Sequence, residues 1–410
     1  MEMLSVDTIE SAWEKIMSAM RGFSLGIESV PPDAAAGRVL AEDITAGEDI
    51  PGFRRSTVDG YAVASADTAA AGDSIPVLLK LSGVVEMGKP ANCGIRRGEC
   101  AYVPTGGMIP DGADAVVMVE YAENAGSGLV AVYEPAAPGK GIAEADEDMR
   151  SGEVVLRKGK IVRAPEIGVL AALGIQQIPV FCPLRLALFS TGNELAVGGG
   201  KPSPGKIRDI NSAALRVLAE QRGYKVIIQR TIPDEPELLE EAMRGSMGIA
   251  DVAAVSGGSS RGDKDFTART FSRIASPGVF TQGLAVKPGK PTIFGHDQAS
   301  GTLLCGLPGH PVSAFIVFEL FLSRLYRSLS CQREPAAIPA HIDRNLASAA
   351  GKSTCQLVIL HREGDACIAE PVYGKSGTIS SLSQADGYII INQNREGLKK
   401  GELVQVVQIA

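Results

Sequence analysis

Residues 184–230 decide the fold, because they read LRLALFS at 184–190, NSAALRVLAEQR at 211–222 and KVIIQR at 225–230. The first and third stretches are short and apolar, which is typical of strands buried in a parallel sheet. The stretch between them predicts a capped helix, which Gly223 ends. The order strand, helix, strand predicts an α/β unit.

The same pattern continues downstream of this stretch. Helices are predicted at 235–244 and 312–329, and strands at 251–256 and 302–305. We therefore expect residues 183–330 to form a central three-layer α/β domain with a mostly parallel sheet.

The flanking regions have different patterns. Residues 51–150 contain short β-like runs separated by Gly and Pro, which predicts a small inserted β domain. Residues 1–50 and 151–182 carry helical patterns, and residues 331–410 predict a small barrel or sandwich. The predicted fold class is thus multidomain α/β plus β, with an N-terminal helical or mixed domain and a C-terminal β-barrel-like domain.

Composition excludes several classes of protein. The chain has 410 residues, 45% of them hydrophobic, which excludes global disorder. A net charge of −7 argues against a general nucleic-acid binder, because phosphate contacts need a basic face. We expect no nucleic-acid partner.

The cysteines and the apolar runs indicate the cellular compartment of the protein. Seven cysteines without a CxxC pair suggest neither a zinc site nor a disulfide framework. The N-terminus has no secretory pattern, and the apolar runs at 167–175 and 314–318 are too short to span a bilayer. We expect a cytoplasmic protein without a membrane partner.

Three loops after predicted strands carry small residues that expose the backbone. They are Ser190-Thr191-Gly192, Ser256-Gly257-Gly258 and Pro308-Gly309-His310-Pro311, the last leading to Ser313. In an open parallel sheet such loops meet at one crevice, and glycine lets a phosphate approach the main chain. Together they predict a phosphate-binding site, although each alone is compatible with an ordinary turn.

Charged residues near these loops indicate a cation and an oxyanion. The carboxylates are Glu194, Asp234, Asp263 and Asp265. They would repel a phosphate unless a hard cation, most simply Mg²⁺, bridged them to it. Lys287 and Lys290 lie on a stiff Lys-Pro-Gly-Lys-Pro turn, which is suited to an oxyanion.

Simpler interpretations exist for these charges. Asp234 is a credible helix cap, and the two lysines are compatible with a solvated pair. The chain has no GxxxxGK[ST] phosphate loop, which disfavours P-loop ATPase chemistry. Its four histidines show no metal-ligand spacing.

Six motifs in order resemble the molybdopterin molybdenumtransferases, the MoeA and gephyrin E-domain family, over essentially the whole chain. They are Ser56-Thr57-Val58-Asp59-Gly60-Tyr61-Ala62, Pro104-Thr105-Gly106-Gly107 with the residues to Val117, Ser190-Thr191-Gly192-Asn193-Glu194-Leu195, Ser256-Gly257-Gly258 with Gly262-Asp263-Lys264-Asp265, the turn Lys287 to Pro291, and Gly306-Leu307-Pro308-Gly309-His310-Pro311-Val312-Ser313.

The resemblance implies an enzyme of molybdenum cofactor biosynthesis. Such proteins take adenylylated molybdopterin and molybdate, release AMP and leave the metal on the pterin's dithiolene sulfurs, with a divalent cation assisting. We hypothesise that a molybdate oxygen or a water attacks the adenylyl phosphorus. Asp234 and Asp265 would hold Mg²⁺, Glu194 would orient the pterin or the metal, and Lys287 and Lys290 would stabilise the oxyanion.

The resemblance also implies further site residues and a dimer. Asp59, Thr105 and Asp148 are functional by resemblance although they lie in the β region. A homodimer that shares its active sites between subunits would bring them to the α/β crevice. The predicted substrate-binding residues are Ser190, Thr191, Gly192, Ser256, Gly257, Gly258, Ser260, Pro308, Gly309, His310, Pro311, Ser313 and Ser376.

The family pattern is not followed everywhere. It often has Asn where His310 stands, and a basic residue where Ala143 stands. The resemblance also makes the first domain discontinuous, with residues 51–150 inserted between 1–50 and 151–182. Contacts with other cofactor-biosynthesis proteins are a further expectation.

Two alternatives remain open at this point. The α/β region alone also resembles the molybdopterin adenylyltransferases, which make the adenylylated intermediate from ATP. A non-catalytic dimeric scaffold of the gephyrin type is the second alternative. Retention of Asp59, Asp265 and the lysine turn favours an active enzyme.

Overall fold

A computed structural model describes residues 6–196, 200–257 and 264–409, and for residues 264 and 265 it describes the backbone alone. The chain forms two compact units. One consists of Met1–Glu28 with Val180–Ala410, and the other of Ser29–Pro179.

The first unit contains a six-stranded sheet. Its strands, in spatial order, are Tyr224–Ile232, Leu184–Thr191, Val252–Gly257, Thr302–Leu307, Ile293–Asp297 and Pro277–Gln282. The first four are parallel, and the last two are joined antiparallel. The mostly parallel sheet predicted from the apolar runs is confirmed.

Helices cover both faces of this sheet. Helices Pro236–Ser246 and Lys264–Ile274 pack on one face, around Leu239, Met243 and Phe271, which are all fully buried. Helices Ile210–Gln221 and Pro311–Val317 contact each other and the other face. The three-layer architecture is therefore confirmed.

The last long helix of this unit differs from the prediction. The sequence predicts one α-helix over 312–329, whereas the structure has α-helices Pro311–Val317 and Arg324–Leu329 joined by a π-helical segment, Phe318–Ser323. The Tyr224 hydroxyl donates to the Leu322 carbonyl at 2.7 Å, and Arg222 pairs with Glu319 at 2.9 Å. The Leu322 carbonyl and the Glu319 carboxylate of this buried π segment thus have partners outside the helix.

The remaining helices are short. Ile9–Ala19 begins after Thr8, whose hydroxyl accepts the Ser11 N–H at 3.1 Å, and Ile379–Gln384 lies near the C-terminus. No helix in the described ranges is long and apolar enough to cross a membrane.

The C-terminal part of the first unit is a closed barrel. Its strands are Ile338–Ile342, Ser353–Glu363, Ala366–Pro371, Gly387–Ile391 and Leu403–Gln408. Each pairs with two others, so the ring closes between Ser353–Glu363 and Gly387–Ile391. Ala340, Val358 and Val406 are fully buried in its interior. Of the predicted barrel or sandwich, the structure has the barrel.

Short strands complete the first unit. Val286–Lys287 pairs in parallel with the start of Ser353–Glu363 and so joins the barrel to the lysine turn. Leu195–Ala196 pairs with Ile207–Arg208, and Leu346–Ala347 with Gly397–Leu398.

The unit Ser29–Pro179 is built on a second six-stranded sheet. Its strands, in spatial order, are Ala115–Met118, Gly60–Val63, Glu99–Val103, Val77–Val84, Leu129–Val132 and Ala122–Gly126. Shorter elements are 3₁₀ helices Pro32–Ala35, Ser65–Thr68 and Val119–Tyr121, and helix Ala164–Ala172. Strands Ile27–Val30 and Ile178–Phe181 lie at the borders of the two units.

Short pairings in this unit bring distant segments together. Ile44–Thr45 pairs with Val154–Leu156, and Arg55–Ser56 pairs with Ile142–Ala143. The β-rich inserted region and the C-terminal barrel are as predicted for the fold class. The finer division into 1–50 with 151–182, 51–150, 183–330 and 331–410 stays a prediction.

Candidate active site

The three small-residue loops lie side by side at the carboxyl edge of the parallel sheet. Ser190 is the register partner of Ser256, and Ser256 is the register partner of Leu307. Parallel strands that end at the same level place their following loops at one edge. The structure therefore brings these loops together, as their spacing predicts.

The loops form part of a cleft of about 1230 Å³, large enough for a cofactor-sized ligand. Its other walls are the lysine turn and the C-terminal barrel. The sequence-predicted residues that line it are Ser190, Thr191, Glu194, Asp234, Ser256, Gly257, Lys287, Lys290, Pro308, Gly309, His310, Pro311, Ser313 and Ser376. Gly192 lies between the lining residues Thr191 and Glu194.

Some predicted residues lie outside what the structure describes. Gly258, Ser260 and Asp263 fall in the undescribed segment 258–263. Asp265 belongs to helix Lys264–Ile274, but its side chain is not among the described atoms. Their roles stay predictions.

Gly257 allows two strand ends to approach closely. Its φ is +120°, and a Cβ built on it would lie 2.1 Å from the Thr191 carbonyl oxygen. No other residue type fits this spacing without moving the backbone. The contact holds the first two loops together at the floor of the cleft.

The lysine turn is fixed by hydrogen bonds to its backbone. The Thr292 hydroxyl, which is fully buried, donates to the Gly289 carbonyl at 2.7 Å. The Leu284 N–H donates to the Lys290 carbonyl at 2.9 Å. Lys287 and Lys290 are exposed, and neither pairs with a carboxylate among the described residues. The turn therefore offers two positive charges to a ligand from a rigid backbone.

Asp234 is held by Asn193 rather than acting as a helix cap. The Asn193 N–H donates to Asp234 Oδ2 at 3.1 Å, and the Asp234 N–H donates to Asn193 Oδ1 at 3.2 Å. Helix Pro236–Ser246 has Glu235 as its N-cap residue. The alternative interpretation of Asp234 as a cap is therefore wrong.

The described carboxylates fit a cation that the substrate helps to bind. No group of three or more His, Cys, Asp or Glu side chains placed to hold a metal ion is found within residues 6–196, 200–257 and 264–409. Mg²⁺ usually takes one or two protein carboxylates and fills its other positions with water and phosphate oxygens. Asp234 lines the cleft and uses Oδ2 for Asn193, so its second oxygen suits such a site.

Glu194 is exposed beside Asp234 in the lining of the cleft. Its carboxylate lies over Gly192, within 2.7 Å of where a Cβ on that glycine would stand. Its backbone carbonyl accepts the Ile207 N–H at 2.8 Å. The loop thus presents the carboxylate without burying it.

The barrel wall supplies residues that sequence reasoning missed. Lys352, Thr354, Gln356 and Lys375 line the cleft, with Ser376 as the only predicted member of this wall. They come to the cleft because Lys287 is the register partner of Thr354, a pairing between segments 67 residues apart in numbering. No local pattern reveals such a pairing.

His310 contacts the barrel directly. Its Nδ1 lies 2.7 Å from Ser376 Oγ, and the Val312 N–H donates to the Ser376 carbonyl at 3.1 Å. Both contacts join the third loop to the barrel wall. His310, which stands where the family often has Asn, therefore has a hydrogen-bond partner of its own in Ser376.

The segment that leads into helix Ile210–Gln221 contributes Arg208, Asp209 and Asn211, which sequence reasoning also missed as site residues. Asp209 is the N-cap of helix Ile210–Gln221 and accepts the Ser212 N–H at 2.9 Å. The cap residue Asp209 was the sequence signal that could have revealed these residues. A helix that follows a candidate loop begins near the same crevice, so the residues at its start are candidates for the site.

A hydroxyl and a thiol at the cleft are both buried but differ in what they can do. Ser190 is 1% exposed, and its Oγ has no hydrogen-bond partner within the part of the chain that the structure describes. Cys355 also lines the cleft, and burial raises the pKa of its thiol to about 12. At neutral pH this cysteine is a thiol, so it is unsuited to act as a nucleophile or metal ligand.

The predicted β-region residues lie in the unit Ser29–Pro179. The Thr105 N–H donates to Asp59 Oδ1 at 2.7 Å, so the structure brings these two together. The Asp148 N–H donates to the Ile50 carbonyl at 3.0 Å. Ala143, where a basic residue is expected, is buried in the strand Ile142–Ala143 and offers no charge.

Models of known protein families match nearly the whole chain. Residues 7–174 match the MoeA N-terminal region (domain I and II), residues 187–327 a probable molybdopterin binding domain, and residues 339–409 the MoeA C-terminal region (domain IV).

Similar proteins match this chain over nearly its full length. A molybdopterin molybdenumtransferase 2 from Mycobacterium tuberculosis is 32% identical over 387 residues, covering 92% of this chain and 94% of that protein. A molybdopterin molybdenumtransferase from Bacillus subtilis is 30% identical, covering 91% and 87%. The crystal structure of a molybdopterin biosynthesis moeA protein from Pyrococcus horikoshii has a TM-score of 0.84 at 30% identity, covering 98% of this chain and 100% of that one.

Proposed function

The chain belongs to the MoeA family of molybdopterin molybdenumtransferases, enzymes of molybdenum cofactor biosynthesis, and from this premise we propose that it inserts molybdate into adenylylated molybdopterin with release of AMP. The reaction depends on Mg²⁺ and takes place in the cleft. One observation carries this proposal: the Gly- and Ser-rich loops, the rigid lysine turn and Asp234 line a single cavity of about 1230 Å³.

The loops and lysines suit an anionic substrate. Ser190 and Thr191 offer hydroxyls, and Gly257 offers open backbone, to the pterin and its phosphates. Lys287 and Lys290 stabilise negative charge that grows on the phosphoryl and molybdate oxygens, because fixed donors in a partly enclosed cleft need no reorganisation.

The chemistry exchanges one bond at the adenylyl phosphorus. A molybdate oxygen or a water forms a bond to that phosphorus, and the bond from phosphorus to the pterin phosphate oxygen breaks. If water attacks, its proton passes to solvent and the nucleotide leaves directly as AMP. If a molybdate oxygen attacks, that oxygen stays on the nucleotide, and AMP leaves when the bond from the oxygen to molybdenum breaks as the dithiolene sulfurs bind the metal. Mg²⁺, when bound, polarises the scissile phosphate. Asp234 and Asp265 would hold the cation, and Glu194 would orient the pterin or the incoming metal.

The active form is a homodimer with shared sites. Asp59, Thr105 and Asp148 belong to the compact unit Ser29–Pro179, whereas the cleft belongs to the other unit. We propose that these residues act at the cleft of a partner subunit. Exchange of substrate with other cofactor-biosynthesis proteins is part of the same proposal.

Replacing Asp265 with Asn should abolish AMP release, with a loss of roughly 100-fold or more, because one carboxylate ligand of the cation is neutralised. Binding of AMP should remain measurable, since the loops and lysines are unchanged. AMP release is followed by chromatography, and Asp365→Asn, at an exposed turn of the barrel outside the cleft lining, is the matched control. Unchanged turnover in Asp265→Asn would remove that residue from the mechanism.

Replacing Ser190 with Ala should raise stability and weaken substrate binding at once. A buried hydroxyl without a partner costs about 1–3 kcal/mol in the free protein, so its removal raises the free energy of unfolding. The same change removes a hydrogen bond from bound adenylylated molybdopterin. Denaturant unfolding and fluorescence titration of the pterin measure the two effects.

Ser246→Ala is the control for this pair of measurements. The Ser246 hydroxyl is fully buried and donates to the Met243 carbonyl at 2.7 Å, away from the cleft lining. Its removal should lower stability and leave binding unchanged. A Ser190→Ala protein that is less stable and binds normally would show that this hydroxyl has no substrate role.

One assay separates the proposed function from its alternatives. The purified protein is incubated with adenylylated molybdopterin, Mg²⁺ and either molybdate or tungstate, and in parallel with molybdopterin and ATP. AMP released in the first mixture supports the proposal. Adenylylation in the second supports an adenylyltransferase, and neither reaction supports a non-catalytic dimeric scaffold.

A further inference from the structure

Asn211 ties two loops of the cleft to the helix Ile210–Gln221. Only 9% of the residue is exposed. Its Nδ2 donates to Ser256 Oγ at 2.7 Å and to the Gly309 carbonyl at 2.8 Å. One buried amide therefore sets the positions of groups that follow two different strands.

The only proton of the Ser256 hydroxyl is already used in this arrangement. It accepts the hydrogen bond from Asn211 and donates its own proton to the Pro308 carbonyl at 3.3 Å. A hydroxyl has one proton to donate, so this one cannot also donate to a second acceptor. Its orientation is fixed toward the third loop.

In this orientation the Ser256 hydroxyl does not donate to its neighbour Ser190. Ser190 and Ser256 are register partners on adjacent parallel strands, so their side chains share one face at a spacing of about 4.8 Å. At that spacing a Ser256 hydroxyl turned the other way would reach Ser190 Oγ. In the structure Ser190 Oγ has no partner among the described residues, although Ser190 is 1% exposed.

We propose that Asn211 is a positioning residue that keeps the Ser190 hydroxyl available to the substrate. It does so by holding the proton of the Ser256 hydroxyl toward the Pro308 carbonyl, so that this proton is not donated to Ser190. The inference rests on the proposed function, because the polar group that Ser190 receives is one of adenylylated molybdopterin. Asn211 acts through Ser256.

The test compares single and double variants by fluorescence titration with adenylylated molybdopterin. Asn211→Ala should weaken binding roughly tenfold, the loss of about one hydrogen bond, because the released Ser256 hydroxyl pairs with Ser190. Adding Ser256→Ala to Asn211→Ala removes that competitor, so the double variant should bind more tightly than Asn211→Ala alone. A purely structural role for Asn211 predicts no such recovery.

Further variants exclude effects of folding. Asn211→Leu removes both N–H donors while filling the space, and it should show the same loss and the same recovery with Ser256→Ala. If Asn211→Ala does not fold, Asn211→Leu alone decides the test. Ser246→Ala loses another buried hydrogen bond and should keep the affinity of the unmodified protein.

The outcomes separate this inference from the proposed function. If the unmodified protein neither binds adenylylated molybdopterin nor releases AMP, the proposed function fails and the inference fails with it. If the unmodified protein is active but the Asn211 variants bind normally, or the double variants bind no better than the single ones, the inference alone is overturned.

Discussion

Lys290→Met is expected to slow molybdate-dependent AMP release by roughly 100- to 1,000-fold, the usual cost of removing one preorganised donor from a developing oxyanion. Lys290 is exposed in the cleft on a turn whose carbonyls are fixed by Leu284 and Thr292. A fixed backbone limits how far Lys287 can move to replace the missing charge. Methionine keeps most of the side-chain length, so the change is mainly one of charge.

The rate constant is measured in single-turnover experiments at saturating substrate. Lys225→Met is the matched control, because Lys225 is exposed on the strand Tyr224–Ile232 and does not line the cleft. That variant should release AMP at the normal rate. A Lys290→Met protein with a normal single-turnover rate would contradict the role assigned to the lysine turn.

Gly223→Ala should destabilise the unit Met1–Glu28 with Val180–Ala410 by about 2 to 5 kcal/mol, which combines backbone strain with overpacking. Gly223 has a φ of +85°, and a Cβ there would lie 2.0 Å from Cε1 of Tyr326. The Tyr326 side chain is buried next to Tyr224, so it has little room to withdraw.

Gly22→Ala separates the two contributions. Gly22 also has a φ of +85°, but a Cβ there would meet nothing within 4 Å. It should therefore cost only the backbone strain, about 1 to 2 kcal/mol. Equal losses in the two variants would show that the contact with Tyr326 is not a constraint.

The single tryptophan reports on this unit. Trp13 is the only tryptophan of the chain, and the Arg324 guanidinium lies 4.4 Å from its ring centroid. Arg324 and Tyr326 belong to the same helix, Arg324–Leu329. Tryptophan fluorescence during denaturant unfolding therefore reports on the part of the protein that contains Tyr326. The methyl group added by Gly223→Ala would contact the ring of that tyrosine.

The α/β part of the fold follows from local patterns. Val252–Gly257 and Thr302–Leu307 are buried almost throughout, and such continuous apolar runs are readable as parallel strands without any partner. The positions of the three loops follow from that, because loops after parallel strands meet at one edge. That Ser190, Ser256 and Pro308 line one cleft could therefore be predicted from the sequence.

The barrel wall of the cleft was beyond such reasoning. Lys352 and Lys375 reach the cleft because Val286–Lys287 pairs with a barrel strand that starts at Ser353, and this pairing depends on the packing of distant segments. Asn211 was predicted only as part of a helix. Its two hydrogen bonds to other loops exist only once three strands are in register.

The most direct test of the proposed reaction measures AMP and metal together in a single turnover. Stoichiometric adenylylated molybdopterin, Mg²⁺ and molybdate are mixed with the protein, and the AMP released and the molybdenum retained on the pterin are quantified. The proposal predicts one molybdenum inserted per AMP released and little AMP without molybdate. AMP release at the same rate with no molybdenum on the pterin would contradict it.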